Sequence, residues 1–185
     1  ARELLVELTG KKAELETKLK EAFPPWWTSA GEFTPKKDDA KKDYVAGATI
    51  TKIELEEFNP GSRQQIAKRL IRKYDWKPEL FTNTGQPEIS EESLAKTNFT
   101  ETPLLLDYLR NDKMLGMLDG EVKKDGSGGG WLKHVKPNGR IHGYVNSNGA
   151  VTGRATHSKP NVAQADSDER MRSLWLPRRG WKLLG

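Results

Sequence analysis

The sequence predicts an α+β fold: long antiparallel helices followed by a small antiparallel β-containing segment that reads as incomplete. Two amphipathic stretches with apolar residues at helical spacing, and a switch in texture after Gly120, carry that expectation. The third observation is the run of short, β-branched and turn-rich segments beyond the switch. With 185 residues the chain can bury roughly two-thirds of the surface that its unfolded form exposes, so a real core is within reach.

Leu4, Leu8, Leu15, Leu19 and Ala22 recur at helical spacing, with Lys11 and Lys12 in the turn between. Residues 2–23 therefore read as a long helix that stops before Pro24 and Pro25. Residues 24–45 mix turn formers and lysines without a period and read as an exposed loop or insertion. "ATITKIELEEF" alternates and carries β-branched residues, as a strand or hairpin arm does. "NPGSRQQIAKRLIRKY" gives a helix capped by Asn59 or Ser62, with Ile66, Leu70, Ile71 and Tyr74 as its apolar face. The free amides at its start, with Arg63 beside them, offer a place for a phosphate.

A short helix follows Ser90, a cap backed by Glu91 and Glu92 in the first turn. "TPLLLDYLRNDKMLGMLDG" then predicts a second long helix with Pro103 near its start. Leu105, Tyr108, Leu109, Leu115 and Leu118 make its stripe, the natural partner of the first helix. Beyond "DGSGGG", "WLKHVKPNGRIHGYVN" reads as two strands about the turn Pro137-Asn138-Gly139, and another strand is expected near "SLWLPRRGWKLLG". The boundary between helical and β-containing parts falls between Leu118 and Val122.

Charge narrows the function classes. The net charge of +5 is mild, but two runs are basic and free of acid. Residues 59–74 carry Arg63, Lys68, Arg69, Arg72 and Lys73; residues 131–164 carry Lys133, Lys136, Arg140, Arg154, Lys159 and all three histidines. Segregated positive charge facing a polyanion releases condensed counterions, which gives affinity for nucleic acid without regard to sequence. With no cysteine there is neither a disulfide, a thiolate metal site nor a cysteine nucleophile. No apolar run approaches the ~18 residues that cross a bilayer, and the N-terminus lacks a signal-peptide pattern, so a soluble, non-secreted, cytoplasmic protein is expected. The chain starts without a methionine inside a helical pattern, as a fragment or processed product does.

The acid-free stretch "NGAVTGRATHSKPNVAQ" combines donors with small residues. The minor groove of a duplex presents acceptors at similar places for all four base pairs. Arg154, with a rigid fork of donors, can test the shape of a pair there, and Asn161 and Gln164 can donate amides to base edges or sugars. Gly153 lets a duplex approach the backbone. His134 and His157 have no companion ligands at metal-binding spacing, and Asp166, Asp168 and Glu169 fall in a loop region.

The pattern His142, Thr152-Gly153-Arg154 and Pro160-Asn161-Val162-Ala163-Gln164 resembles the thumb-to-palm segment of family A, polymerase I-like DNA polymerases of T-odd phage type. "EFNPGSRQQIAKRL" is similar to the start of that family's thumb-tip helix, and "DYLRNDKMLGML" to its second long thumb helix. The resemblance implies a thumb at 1–118, with an insertion at 24–58, and the N-terminal part of a palm at 119–185. It assigns Arg154 to the primer-terminal pair and Asn161, Gln164, Thr152 and Gly153 to its surroundings. Lys113 falls to the duplex minor groove, and Ser62 with Arg63 to a backbone contact at the thumb tip.

It also implies primer–template DNA as the partner and a palm-and-fingers polypeptide, with a 3′–5′ exonuclease domain or chain as a further companion. The palm-and-fingers polypeptide supplies the carboxylates for two Mg2+ ions, so no activity is expected of this chain alone. If the chain is phage-encoded, the bacterial host cytoplasm is the site of action. Some relatives capture thioredoxin through a long basic insertion. Here the loop is short, and Lys36, Lys37, Lys41 and Lys42 are offset by Asp38, Asp39 and Asp43, which argues against that capture. The alternative reading is a non-catalytic module that binds double-stranded nucleic acid.

Overall fold

A computed structural model describes residues 1–121, 129–161, 165–177 and 180–182. The chain clusters into two compact units: residues 1–15 with 106–185, and residues 16–105. Helix α1 is Arg2–Ala22 and α4 is Thr102–Asp119, so both expected long helices form. No helix among the described residues is long and apolar enough to cross a membrane.

In the first unit, Leu4, Leu8, Met114, Leu118, Trp131 and Met171 make one buried cluster. The opening half of α1 and the closing half of α4 supply four of these six side chains; Met114, outside the expected stripe, is buried there, while Leu115 of the stripe is only partly buried against the cluster. Polar groups fix the register. Buried Asn111 donates from Nδ2 to the Leu8 carbonyl at 2.8 Å. Lys12, which interrupts the stripe of α1, reaches Asp112 at 2.6 Å and lies 5.7 Å from the centre of the Tyr108 ring. Its stem covers apolar surface while its charge meets a carboxylate. Trp131 and Met171 join the cluster from beyond Gly120, so packing crosses the boundary at which the sequence texture changes.

The segment after Gly130 departs from the expected two strands. Trp131–His134 is a short 3-10 helix, and a single bridge pairs Val135 with Ile141 around the turn at Gly139. Alternation of apolar and polar residues suggested a strand, but Trp131 turns into the core and meets Trp175 edge-on at 5.0 Å, which curls the backbone. The hairpin proper comes later. β3 (Tyr144–Asn146) pairs antiparallel with β4 (Thr156–Ser158). Helix α5 (Glu169–Arg172) follows, capped by Asp168. No strand forms among the described residues after Ser173; positions 178–179 and 183–185 of that expected strand lie outside them.

In the second unit, the stretch expected to be a loop contains a strand. β1 (Trp26–Phe33) pairs antiparallel with β2 (Ile50–Glu56), with a register irregularity between Ser29 and Glu32. The pairing partner lies beyond a charged connection, and Trp26 finds a seat that sequence could not show. One face of its ring lies 3.9 Å from the Arg69 guanidinium carbon, Arg72 is 4.4 Å away, and Nε1 donates to Glu56 at 2.8 Å. Arg69, only 4% exposed, donates to the carbonyls of Pro24 (2.6 Å) and Glu56 (2.9 Å), the two feet of the hairpin.

Helix α2 (Arg63–Tyr74) carries Arg69 on its buried side with Ile66 and Leu70. Ser62 caps it, and Asp75 ends it in the left-handed region. Helix α3 (Glu91–Ala95) starts at Ser90, whose hydroxyl accepts from the Ser93 amide while the Ser93 hydroxyl accepts from the Ser90 amide.

Glu101, 6% exposed, accepts from Lys73 at 2.6 Å and from the Tyr74 hydroxyl. Burial pushes its carboxyl upward, but the hydrogen bonds from Lys73 and Tyr74 outweigh burial and hold it below the ordinary range. A depressed folded-state value contributes stability above the unfolded-state value, and that contribution is lost as pH falls through the folded one. Glu101→Gln is therefore expected to lower the melting temperature at neutral pH and to flatten its decline on acidification. Thermal melts from neutral pH into the acid range check this; an unchanged acid slope contradicts it.

Candidate nucleic-acid interface

Three residues per strand leave β3–β4 a small ribbon, and it is exposed on both faces: Tyr144 and Val145 are open, as are Thr156 and Ser158. An isolated two-stranded ribbon is marginal in water, so a surface that covers one face would stabilise it. Its connection is shaped by backbone bonds. The Gly153 amide donates to the Ala150 carbonyl at 2.9 Å, and the Ala150 amide donates to the Arg154 carbonyl at 3.2 Å. Gly153 sits at φ +74°, in the left-handed region that a side chain disfavours. Gly149 lies against Thr156, where a Cβ would come 2.0 Å from the threonine Oγ1.

This turn presents Thr152, Gly153 and Arg154 to solvent, beside a fully open Val151. Among the described residues no hydrogen bond or ion pair engages the Arg154 guanidinium, so it is available. Lys136, Arg140, His142 and Lys159 are also exposed, and no acid lies between Trp131 and Asn161. Asn161 is exposed, whereas Gln164 falls outside the described residues.

Lys113 projects from α4 of the same unit with its side chain 53% exposed, and its ammonium pairs with Asp166 at 3.1 Å. Asp166 also accepts from the Asp168 amide at 3.1 Å; that amide first, and Lys113 second, hold its carboxyl below the usual range. Asp168 is held low chiefly by Arg170, which also reaches Glu7 of α1 at 2.7 Å. Asp166 and Asp168 thus face cations and amides, and no group of three His, Asp or Glu among the described residues could hold a metal ion.

The basic run of α2 belongs to the second unit, and the fold absorbs most of it. Ser62 accepts from the Gln65 amide at 3.4 Å, and Arg63 donates to the Ile89 carbonyl. Arg69 is buried, Arg72 lies over Trp26, and Lys73 holds Glu101. Lys68 projects to solvent. Sequence composition grouped these residues as one acid-free basic run; the sign that Arg69 differed was its place on the apolar side between Ile66 and Leu70.

A polymerase domain provides the structural likeness. The POL domain of Pol1 from M. smegmatis, solved in complex with DNA primer-template and dNTP, matches over 92% of this chain with a TM-score of 0.54 and 22% identity. This likeness establishes the fold, and the match covers 24% of that domain's chain. Residues 36–185 match the sequence model of DNA polymerase family A. The DNA-directed DNA polymerases of Escherichia phage T7 and Enterobacteria phage T3 are 33% and 32% identical to the chain, each over 72% of it. The chain belongs to DNA polymerase family A. It spans 24% of the length of these two phage relatives.

Proposed function

We propose that this chain is the thumb and the N-terminal part of the palm of a phage-type DNA polymerase, and that it grips primer–template DNA through the β3–β4 hairpin. The exposed turn Thr152-Gly153-Arg154 carries the reading, because it offers an unengaged fork of donors on a basic, acid-free ribbon. Arg154 donates into the minor groove at the primer-terminal pair, where every correct pair offers acceptors at similar places. Asn161 and Gln164 would supply the neighbouring amide contacts that the resemblance implies, and Gly153 lets the duplex approach. Lys113 follows the duplex from α4, while Ser62 and Arg63 hold the start of α2 toward the backbone of the DNA.

The two-Mg2+ phosphoryl transfer is the work of the palm-and-fingers part of such a polymerase, whose carboxylates hold the ions. An exonuclease portion would act separately. The short connection between β1 and β2, in which Asp38, Asp39 and Asp43 offset most of the charge of Lys36, Lys37, Lys41 and Lys42, argues against a thioredoxin-like factor.

Arg154→Ala in the polymerase completed by its palm and fingers is expected to slow primer extension by about 30-fold, the equivalent of ~2 kcal/mol for one charged hydrogen bond. Duplex affinity should change much less, because phosphate contacts dominate it. Single-turnover extension beside a fluorescence titration with primer–template separates the two effects. Unchanged extension removes Arg154 from the primer terminus; binding without any extension by the completed protein favours a non-catalytic duplex-binding module.

A further inference from the structure

We propose that Asp166 is a built-in competitor for DNA at Lys113, so that duplex must displace an internal carboxylate before this lysine can serve it. The inference rests on the reading that Lys113 faces duplex, and adds how that contact is regulated.

Three observations carry it. The two carboxylate oxygens of Asp166 divide their work: Oδ2 meets the Lys113 ammonium at 3.1 Å, and Oδ1 accepts from the Asp168 amide at 3.1 Å. The carboxylate is therefore oriented by its own backbone whether or not the lysine is present. Its loop is anchored in turn. Met171 of α5 lies in the core cluster with Met114, the neighbour of Lys113 in sequence, and Arg170 ties α5 to Asp168 at 2.8 Å and to Glu7 of α1 at 2.7 Å.

Mobility is therefore asymmetric across the pair. Asp166, with its side chain 21% exposed, stays in place, while Lys113, on a flexible four-carbon stem and 53% exposed, can swing away. A phosphate or groove acceptor competes with Asp166 for the same ammonium. Because partly exposed ion pairs of this kind shift equilibria by about five-fold at most, DNA can win the contest, at a small cost in affinity.

The test is a titration of a fluorescent primer–template duplex with the chain as wild type, Asp166→Asn, Lys113→Met and the double variant, at one fixed low salt concentration. The asparagine side chain keeps an oxygen for the Asp168 amide, and melting curves check that each variant folds. Asp166→Asn is expected to tighten binding by about three- to five-fold when Lys113 is present and to have no comparable effect in the Lys113→Met background. Equal tightening in both backgrounds would mean only that a negative charge was removed, and overturns the proposal. Unchanged or weaker binding by Asp166→Asn overturns it too, the latter pointing to a carboxylate that positions the lysine. If Lys113→Met binds as tightly as wild type, the duplex-facing role of Lys113 is itself what fails.

Discussion

Leu118→Ala is expected to destabilise the chain by about 3–4 kcal/mol, the range for removing a fully buried leucine whose surroundings cannot collapse. Leu118 has no exposed surface and sits in the cluster formed by Leu4, Leu8, Met114, Trp131 and Met171. These partners come from α1, from α4, from the 3-10 helix after Gly130 and from α5, so four separate elements would have to move together to fill the void. Urea unfolding should show a lower midpoint with little change in slope. A loss below about 1 kcal/mol would show that this core is loosely packed.

Replacing Arg69 by alanine is expected to cost about 3 kcal/mol and to release the β1–β2 hairpin. The substitution leaves the carbonyls of Pro24 and Glu56 without their donors and strips the guanidinium from the face of Trp26. Burial already lowers the Arg69 pKa, and its Nε finds no partner among the described residues, so the site tolerates this charge only because the two carbonyls and the ring compensate. Arg69→Lys retains the charge but cannot span both carbonyls at once, and should recover less than half of the loss. Amide hydrogen exchange distinguishes the mechanisms: faster exchange confined to residues 26–33 and 50–56 marks a freed hairpin, whereas uniform acceleration marks global unfolding.

The helices were legible because their signals are local. Apolar residues at helical spacing specified α1, α2 and α4, and Ser90 with the acids behind it announced the start of α3. β1 was hidden, because its ladder depends on a strand beyond a charged connection and its first tryptophan depends on two arginines of α2. Trp131–His134 misled in the opposite direction: its alternation suits a strand, but burial of one indole decides the backbone. Within the candidate interface, the exposed, acid-free turn around Arg154 was legible from composition. The ion pair between Lys113 and Asp166 was not, since only packing of α5 against the helices brings those charges together.

The close approach of Gly149 to Thr156 links two positions that never pair in the ladder. A methyl group at 149 would overlap the threonine side chain, with 2.9 Å to its Cβ as well as 2.0 Å to its hydroxyl, so rotating the hydroxyl alone gives no relief. The two sites share one volume, and a lineage that enlarges the first must shrink the second. Their substitutions should therefore travel together through descent, a correlated trace that a genealogy of such chains can record and no single member displays.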